Sequence, residues 1–255
     1  MPDFILRPDW THIDIIGDIH GCYDELCELL KQLGWITLSH GAVYHPQGRR
    51  LVFVGDLVDR GPASKQVVAF VKYHMASQHA VCVKGNHDDK FYRWAQGNKV
   101  KLRASHLVTT EQYENDEPTK LAHSEWINSL PYCGLFGNSI VVAHATPPFL
   151  DDVEIPLAET DLGKGKRSTS IYGVTDGTKT EQGFPTRLPW EHRWFHSLDV
   201  ATGHIVNLET TELATAGGGI SYLTDGGGVF GHTLRALRYP EREWVSVSCP
   251  SYWAR

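Results

Sequence analysis

Three short blocks of this sequence place polar, potentially reactive side chains directly after a glycine: Gly17-Asp18-Ile19-His20, Gly55-Asp56-Leu57-Val58-Asp59-Arg60 and Gly85-Asn86-His87-Asp88. His144, after the apolar run Ile140-Val141-Val142-Ala143, and His204, after Gly203, extend the set. Asp18, His20, Asp56, Asn86, His144 and His204 offer oxygen and imidazole nitrogen with no thiolate among them, a mixture suited to Mn²⁺, Fe or Zn²⁺. Calcium would want more oxygens and fewer imidazoles. So many ligands exceed what one tetrahedral ion takes. With Asp56 as a bridge they divide between two ions about 3.5–4 Å apart, a pair able to hold a phosphate and activate water for in-line attack on phosphorus. Arg60 suits a bidentate clamp on phosphate oxygens. His87 is a candidate acid for the leaving oxygen, with Asp59 the carboxylate that would set its tautomer and orientation.

Such chemistry needs elements that carry distant residues to one place. The run Leu51-Val52-Phe53-Val54 reads as a buried strand ending at Asp56, and residues 11–18 and 80–84 read as strands ending at the other two blocks. Each is followed by helical sequence, over residues 24–33, 62–77 and 89–96. In the first of these, Leu26, Leu29, Leu30 and Leu33 share a face, and in the second Pro62 suits a first turn. Strand, polar turn and helix repeated in this way imply right-handed β-α-β units around a parallel core. The three polar blocks then share one sheet edge, where open α/β sheets bind ligands. A further strand over residues 139–143 delivers His144. Strand-like sequence returns at 200–203, 220–223, 229–239 and 244–247. Residues 98–131 read as a helical insertion near the site, and residues 146–197 as a long loop or lid region.

Composition narrows the classes. The chain has 255 residues, 41% hydrophobic and 21% charged, and is read as one soluble globular domain over residues 1–255. A net charge of −6 supplies no global field for nucleic acid, yet leaves room for a local basic pocket around a small anion. The start Met1-Pro2-Asp3-Phe4-Ile5 lacks the pattern of a signal peptide. No apolar run approaches the ~20 residues of a spanning helix, so no membrane partner is expected. Cys22, Cys27, Cys82, Cys133 and Cys249 are scattered without a C-x-x-C pair, which fits reduced thiols in a cytoplasmic protein.

Taken together, Gly17-Asp18-Ile19-His20-Gly21, Gly55-Asp56-Leu57-Val58-Asp59-Arg60-Gly61 and Gly85-Asn86-His87-Asp88 resemble the signature blocks of the PPP branch of the calcineurin-like metallophosphoesterases. The resemblance implies an α/β/β/α sandwich, two mixed sheets flanked by helices. It implies one ion on Asp18, His20 and Asp56 and a second on Asp56, Asn86, His144 and His204, with Mn the first choice and Fe or Zn the alternatives. It assigns Arg60 to the phosphate clamp, His87 to the proton donor and Asp59 to orienting it. A third block ending in Asp88 is more similar to bacterial members, above all the bis(5′-nucleosyl)-tetraphosphatases and the phosphatase domain of the bacterial polynucleotide kinase–phosphatase. The latter likeness continues through Ile171-Tyr172-Gly173, Gly183-Phe184-Pro185-Thr186-Arg187, Pro189-Trp190, Val229-Phe230-Gly231 and Leu237-Arg238-Tyr239-Pro240-Glu241-Arg242-Glu243, and so spans about residues 13–247. No G-x-x-x-x-G-K-[ST] loop is present, and the expectation is a free-standing phosphatase.

Four readings of function follow. The first is hydrolysis of a phosphorylated small molecule, a dinucleoside polyphosphate in particular. A serine/threonine or tyrosine phosphoprotein phosphatase would use the same residues, and an RNA 2′/3′-end phosphatase is disfavoured by the acidic charge. A metal-binding scaffold without catalysis would need Arg60 or His87 to be missing, and neither is. An open groove over the metals would favour a phosphoprotein, and a closed pocket with an aromatic platform a nucleotide. His204 is preferred to His232 as last ligand, and Asp225 is either a support for the site or a turn residue. Arg187 is expected to touch substrate; Lys164, Lys166, Arg167 and Arg193 either join it around distal phosphates or form a solvated basic loop. The other histidines, His106 among them, are read as surface or packing residues, and Trp190, Trp194 and Phe195 as core.

Overall fold

The computed structural model describes residues 1–150, 152–181, 183, 185–209 and 211–253. Phe184, part of one block singled out above, lies outside them. Two sheets face each other. The first runs β15 (Glu243–Ser248), β14 (Thr233–Tyr239), β2 (Ile13–Ile16), β5 (Arg50–Phe53) and β6 (Ala80–Cys82). The second runs β1 (Phe4–Arg7), β7 (Cys133–Phe136), β8 (Ile140–Ala143), β11 (Asp199–Thr202), β13 (Ile220–Leu223) and β12 (Thr211–Ala214). Two short antiparallel ribbons, β3 (Ile36–Thr37) with β4 (Val43–Tyr44) and β9 (Thr175–Lys179) with β10 (Pro185–Arg187), lie outside the sheets.

Register is what assembles the site. In the first sheet β2, β5 and β6 are parallel, with Ile16 beside Phe53 and Phe53 beside Cys82, so the three polar blocks leave the sheet side by side. In the second, β8, β11 and β13 are parallel, with Ala201 beside Val142 and Thr202 beside Leu223. His144, His204 and Asp225 therefore emerge together, one or two residues past their strands. The parallel core expected from the sequence is only part of each sheet, because β14 joins β2 antiparallel and β7 joins β8 antiparallel. Both sheets are mixed, as the family likeness implied.

Side-chain alternation builds the layers. Ile13, Ile15, Val52, Val54, Val81 and Val83 point inward against Phe136, Ile140, Val142, Ala201 and Tyr222 of the opposite sheet. Ile16, Leu51, Phe53 and Cys82 point outward and are covered by α1 (Tyr23–Gln32) and α2 (Ser64–Ala76), whose Leu26, Leu29, Leu30, Val67 and Val71 supply the apolar faces. α3 (Asn86–Ala95) and α5 (Glu117–Asn128) pack on each other beside them, with α4 (Ala104–Gln112) near α2. Over the far face of the second sheet lie Phe149, Leu150, Trp190 and Trp194, and α6 (Lys164–Tyr172) belongs to the same stretch of chain.

Several boundaries differ from the sequence reading. Pro62 precedes the N-cap of α2 rather than sitting in its first turn. α3 starts at Asn86, three residues early, because the Asp88 carboxylate folds back onto the N–H of Gly85 at 2.9 Å and closes the first turn. Residues 98–131 hold α4 and α5, and residues 146–197 hold α6 and the β9–β10 ribbon. Strands β1, β7 and β12 and helix α6 carry too little periodicity to stand out in the sequence. Phe195, expected in the core, is 71% exposed.

Candidate metal centre

The loops that carry the polar side chains are held by backbone pairing and by one buried carboxylate. Asp88 accepts the N–H groups of Asp56 (2.9 Å), Leu57 (3.0 Å) and Gly85 (2.9 Å) and is fully buried, so the second and third blocks are tied through it. Burial pushes its carboxyl up to about 7. His20, Asp56, Asp59, Arg60 and His204 all take positive φ, between 45° and 75°, a left-handed backbone that L-residues adopt only when their surroundings impose it. Two glycines are required by close approach: a Cβ at Gly85 would stand 2.1 Å from Asp56 Oδ1, and one at Gly203 1.9 Å from Asp18 Oδ1.

All six expected ligands are brought together. His144 Nδ1 lies 2.9 Å from the Val54 carbonyl and so carries the ring proton, leaving Nε2 as a lone pair. That lone pair faces Asn86 Oδ1 at 3.1 Å, His204 Nδ1 at 3.1 Å and Asp56 Oδ1 at 3.4 Å. His20 repeats the pattern, with Nδ1 on the Val58 carbonyl at 2.8 Å and Nε2 3.5 Å from Asp56 Oδ2. The two Asp56 oxygens thus look toward opposite histidine pockets. Asp18 accepts the His204 N–H through both oxygens, at 3.2 and 3.0 Å, which links the first sheet to the second.

The electrostatics of this cluster call for cations. Burial, with Asp225 and Asp56 adding to it, raises Asp18 well above the carboxylate range. Burial lifts Asp56 to about 7 against the lowering effect of Arg60 and of the His87 N–H, and also raises Asp225. Burial drives His20 and His204 well below the usual imidazole value and His144 down to about 4. Buried carboxylates beside neutral imidazoles, lone pairs converging and His204 Nε2 unpartnered, fit divalent ions held by oxygen and nitrogen.

Beside the donors sit the other expected residues. His87 Nδ1 approaches Asp59 Oδ2 at 2.6 Å, and its Nε2 lies 2.9 Å from an Arg60 guanidinium nitrogen, while the other Arg60 nitrogen meets His20 Nε2. Arg60 also lies over the Phe230 ring at 5.2 Å. Arg187 donates to the Tyr172 carbonyl, and its charge is felt by Asp56, His144 and His204. His204, not His232, faces the centre; His232 is exposed. Asp225 is buried, accepts the Gly227 N–H at 2.9 Å and lies at the edge of the donor set. Two other basic residues of the 146–197 stretch are occupied elsewhere: Lys166 pairs with Asp152 at 2.5 Å and Arg167 with Asp3 at 2.6 Å.

The centre opens into a cavity of about 880 Å³ floored by Arg60, Asn86, His87, His204 and Asp225. One wall carries Lys90, Arg93, Lys101 and Arg103, from α3 and the segment leading into α4. Tyr172, Phe230 and Trp253 add aromatic surface. None of these wall residues except Tyr172 and Phe230 falls in a block the sequence singled out. The remaining signal, Lys90-to-Arg103 basicity in an acidic chain, was present but unlocalised. His106, read as packing, is buried in the same wall next to Asp59. A smaller cleft of about 320 Å³ between Tyr23, Phe70 and Tyr73 shares no residue with the donor set. Among the described residues no helix is long and apolar enough to cross a membrane.

Comparison with known proteins agrees with this geometry. The model of the calcineurin-like phosphoesterase family matches residues 11–236. The chain is 36% identical over 243 residues to the bis(5′-nucleosyl)-tetraphosphatase PrpE [asymmetrical] of Anoxybacillus flavithermus, covering 92% of this chain and 93% of that one. It is 35% identical over 244 residues to the protein of that name from Bacillus subtilis, with coverage of 92% and 93%. Among solved structures, a putative diadenosine tetraphosphatase superposes with a TM-score of 0.68 at 22% identity, over 98% of this chain and 99% of that one. A serine/threonine phosphatase of Saccharomyces cerevisiae gives 0.62 at 14% identity, over 98% and 84%, a likeness of fold. With its donor set, its sandwich and these relatives, the chain belongs to the calcineurin-like phosphoesterases and is a metal-dependent hydrolase of phosphoric esters or anhydrides.

Proposed function

We propose that the chain cleaves dinucleoside tetraphosphates at a two-metal centre. One ion would be held by Asp18, His20 and Asp56 and the other by Asp56, Asn86, His144 and His204, with Mn²⁺ the first choice and Fe or Zn²⁺ the alternatives. The observation that carries the substrate is the cavity of about 880 Å³, in which cations from Lys90 to Arg103 line a path away from the donors and aromatic rings stand nearby. An extended polyphosphate with a planar base at its end matches that lining. The names of the PrpE relatives support the same class. The insertion over 98–131 and the 146–197 stretch are parts of the one catalytic domain, the first supplying Lys101 and Arg103 of the basic wall and the second Arg187. The free state of all five cysteines supports a cytoplasmic address.

Bound divalent ions would polarise the reacting phosphate and lower the pKa of water at this centre. The chain's own residues do the rest. Arg60, whose guanidinium lies between His20 and His87, clamps the phosphate oxygens, and Arg187, whose charge Asp56 feels, adds a second cation. Burial and then Arg60 hold the free His87 imidazole neutral, with its Nδ1–H on Asp59. A polyphosphate seated on Arg60 brings the negative charge that stabilises a second proton on His87 Nε2. His87 then gives this proton to the leaving oxygen as the P–O bond breaks, and Asp59 keeps the ring in place throughout.

The test is a substrate panel with the Mn²⁺-loaded protein: diadenosine tetraphosphate, p-nitrophenyl phosphate, a phosphoserine peptide and a 3′-phosphorylated oligonucleotide. A kcat/KM for diadenosine tetraphosphate well above the others is expected. A preference for the peptide or the RNA end would replace the substrate reading while leaving the metal centre intact.

A further inference from the structure

The Asp59 carboxylate is shared by two imidazoles. His87 Nδ1 approaches Oδ2 at 2.6 Å, and His106 Nε2 approaches the same oxygen at 3.4 Å. The His106 ring lies nearly parallel to His87, with centroids 5.4 Å apart and planes inclined by 14°. His106 is the third residue of α4, where its Nδ1 accepts the N–H of Arg103 at 3.1 Å. With Nδ1 accepting, the ring proton stands on Nε2, the nitrogen that lies 3.4 Å from Asp59. Two more bonds run from the same helix to the same loop: Arg60 N–H to the Ser105 carbonyl at 2.8 Å and Asp59 N–H to Thr109 Oγ1 at 2.8 Å. Asp59 and Arg60 are the residues held at φ of 75° and 72°, so their conformation depends on a partner that over-determines it.

We propose that His106 is a positioning residue for the acid step: it holds the same Asp59 oxygen that receives His87 and backs the His87 ring by stacking. The inference rests on the reading of His87 as proton donor. It makes the inserted helix α4 a part of the acid machinery, although His106 touches neither the donor set nor the phosphate clamp directly. A loosened Asp59 would leave His87 free to swing from the leaving oxygen, and substrates that need protonation of that oxygen would suffer most. Substrates with a good leaving group would hardly notice.

The experiment measures kcat for phenyl phosphate and p-nitrophenyl phosphate with the Mn²⁺-loaded full chain carrying His87→Ala, His106→Ala, His106→Gln or both alanine changes. The expected result is about a tenfold loss for His106→Ala on phenyl phosphate with at most about a twofold loss on p-nitrophenyl phosphate, and partial recovery with His106→Gln, whose amide restores a donor. In the double variant the His106 change should add nothing to the His87 change. If His87→Ala shows the leaving-group split but His106→Ala slows both substrates equally, or adds fully in the double variant, the positioning role is overturned and the acid reading stands. If His87→Ala itself slows both substrates equally, the acid reading falls and the inference with it. Should His106→Ala fail to fold, a His106→Gln variant with equal losses on both substrates also overturns the proposal.

Discussion

Strand β2 has a cluster of buried polar side chains at each end, and the two differ in how they are satisfied. At its start, Asp14 is fully buried but accepts Arg49 Nε at 2.9 Å, Arg238 Nε at 3.2 Å and the Trp35 indole N–H at 2.8 Å. Arg49 continues to Glu241 at 2.7 Å. Charge and hydrogen-bonding capacity are met within the protein. Just past its other end, Asp18 meets Asp56 and Asp225 with neutral imidazoles around them, and Arg60 and Arg187 stand to the side. A buried pair complete in itself fixes structure, whereas a surplus of lone pairs and carboxylates is a binding site for cations.

Removing one member of each cluster should break the comparison most sharply. Asp56→Asn removes the carboxylate that faces both histidine pockets, and kcat should fall by roughly 10³-fold or more, since a metal centre contributes several kcal/mol at the transition state. The fold should survive, as judged by circular dichroism, because that position is strained and under-compensated without ions. Arg49→Ala should do the reverse. It leaves Asp14 buried with less compensation, so denaturant unfolding should show a loss of about 3 kcal/mol or more, while kcat of the folded fraction stays near that of the parent.

His87→Ala sharpens the division within the active end. Both ions should remain bound, and alkyl phosphates should slow by roughly 10²-fold, with a smaller loss on p-nitrophenyl phosphate. Loss of metal in that variant, read by elemental analysis, would make His87 a ligand instead.

The same contrast has a pH signature in the metal-free protein. Asp56, raised to about 7 by burial, binds its proton more tightly folded than unfolded. Its stabilising contribution is therefore fully present below the unfolded carboxylate value of about 4, falls away as pH rises, and is gone by about 7. His144, lowered to about 4 by burial, acts oppositely and costs stability as pH falls from about 6.5 to 4. The two contributions offset each other between about pH 4 and 6.5, so the metal-free midpoint temperature should fall as pH rises from about 6.5 to 7, and saturating Mn²⁺ should abolish that fall. A metal-free profile that is flat across pH 5–8 would contradict the electrostatic account.

The smallest effect is expected at the basic wall. Arg93→Ala or Lys101→Ala should raise KM for diadenosine tetraphosphate roughly two- to fivefold, the scale of partly exposed charge pairs, and leave p-nitrophenyl phosphate unchanged. Added salt should mimic the change. Equal effects on both substrates would put the wall at the reacting phosphate.

What the sequence made legible follows physical lines. The blocks at Asp18, Asp56 and Asn86 could be read because a buried strand, a glycine and a polar turn recur with a helix after each, and local pattern alone predicts their convergence. His144 followed from a strand of the same kind. His204 was harder, since its place depends on β11 lying beside β8, a long-range pairing. Phe230 could be named but not placed, and Lys90, Arg93, Lys101 and Trp253 were not legible as a wall, because only packing sets which loops face the cavity. His106 escaped for the same reason: nothing within α4 announces that its third residue meets a carboxylate 47 positions earlier. Proximity in sequence was a poor guide at Lys166 and Arg167, which answer to Asp152 and Asp3.

The central claim is that the lone-pair cluster past β2 is a two-ion site bridged by Asp56. Calorimetric titration of metal-free protein with Mn²⁺, alongside the Asp56→Asn variant, tests it directly. Two ions per chain in the parent, and at most one weakly bound ion in the variant, is the result predicted. A single ion at saturation in the parent, or two ions and full activity in Asp56→Asn, would contradict it.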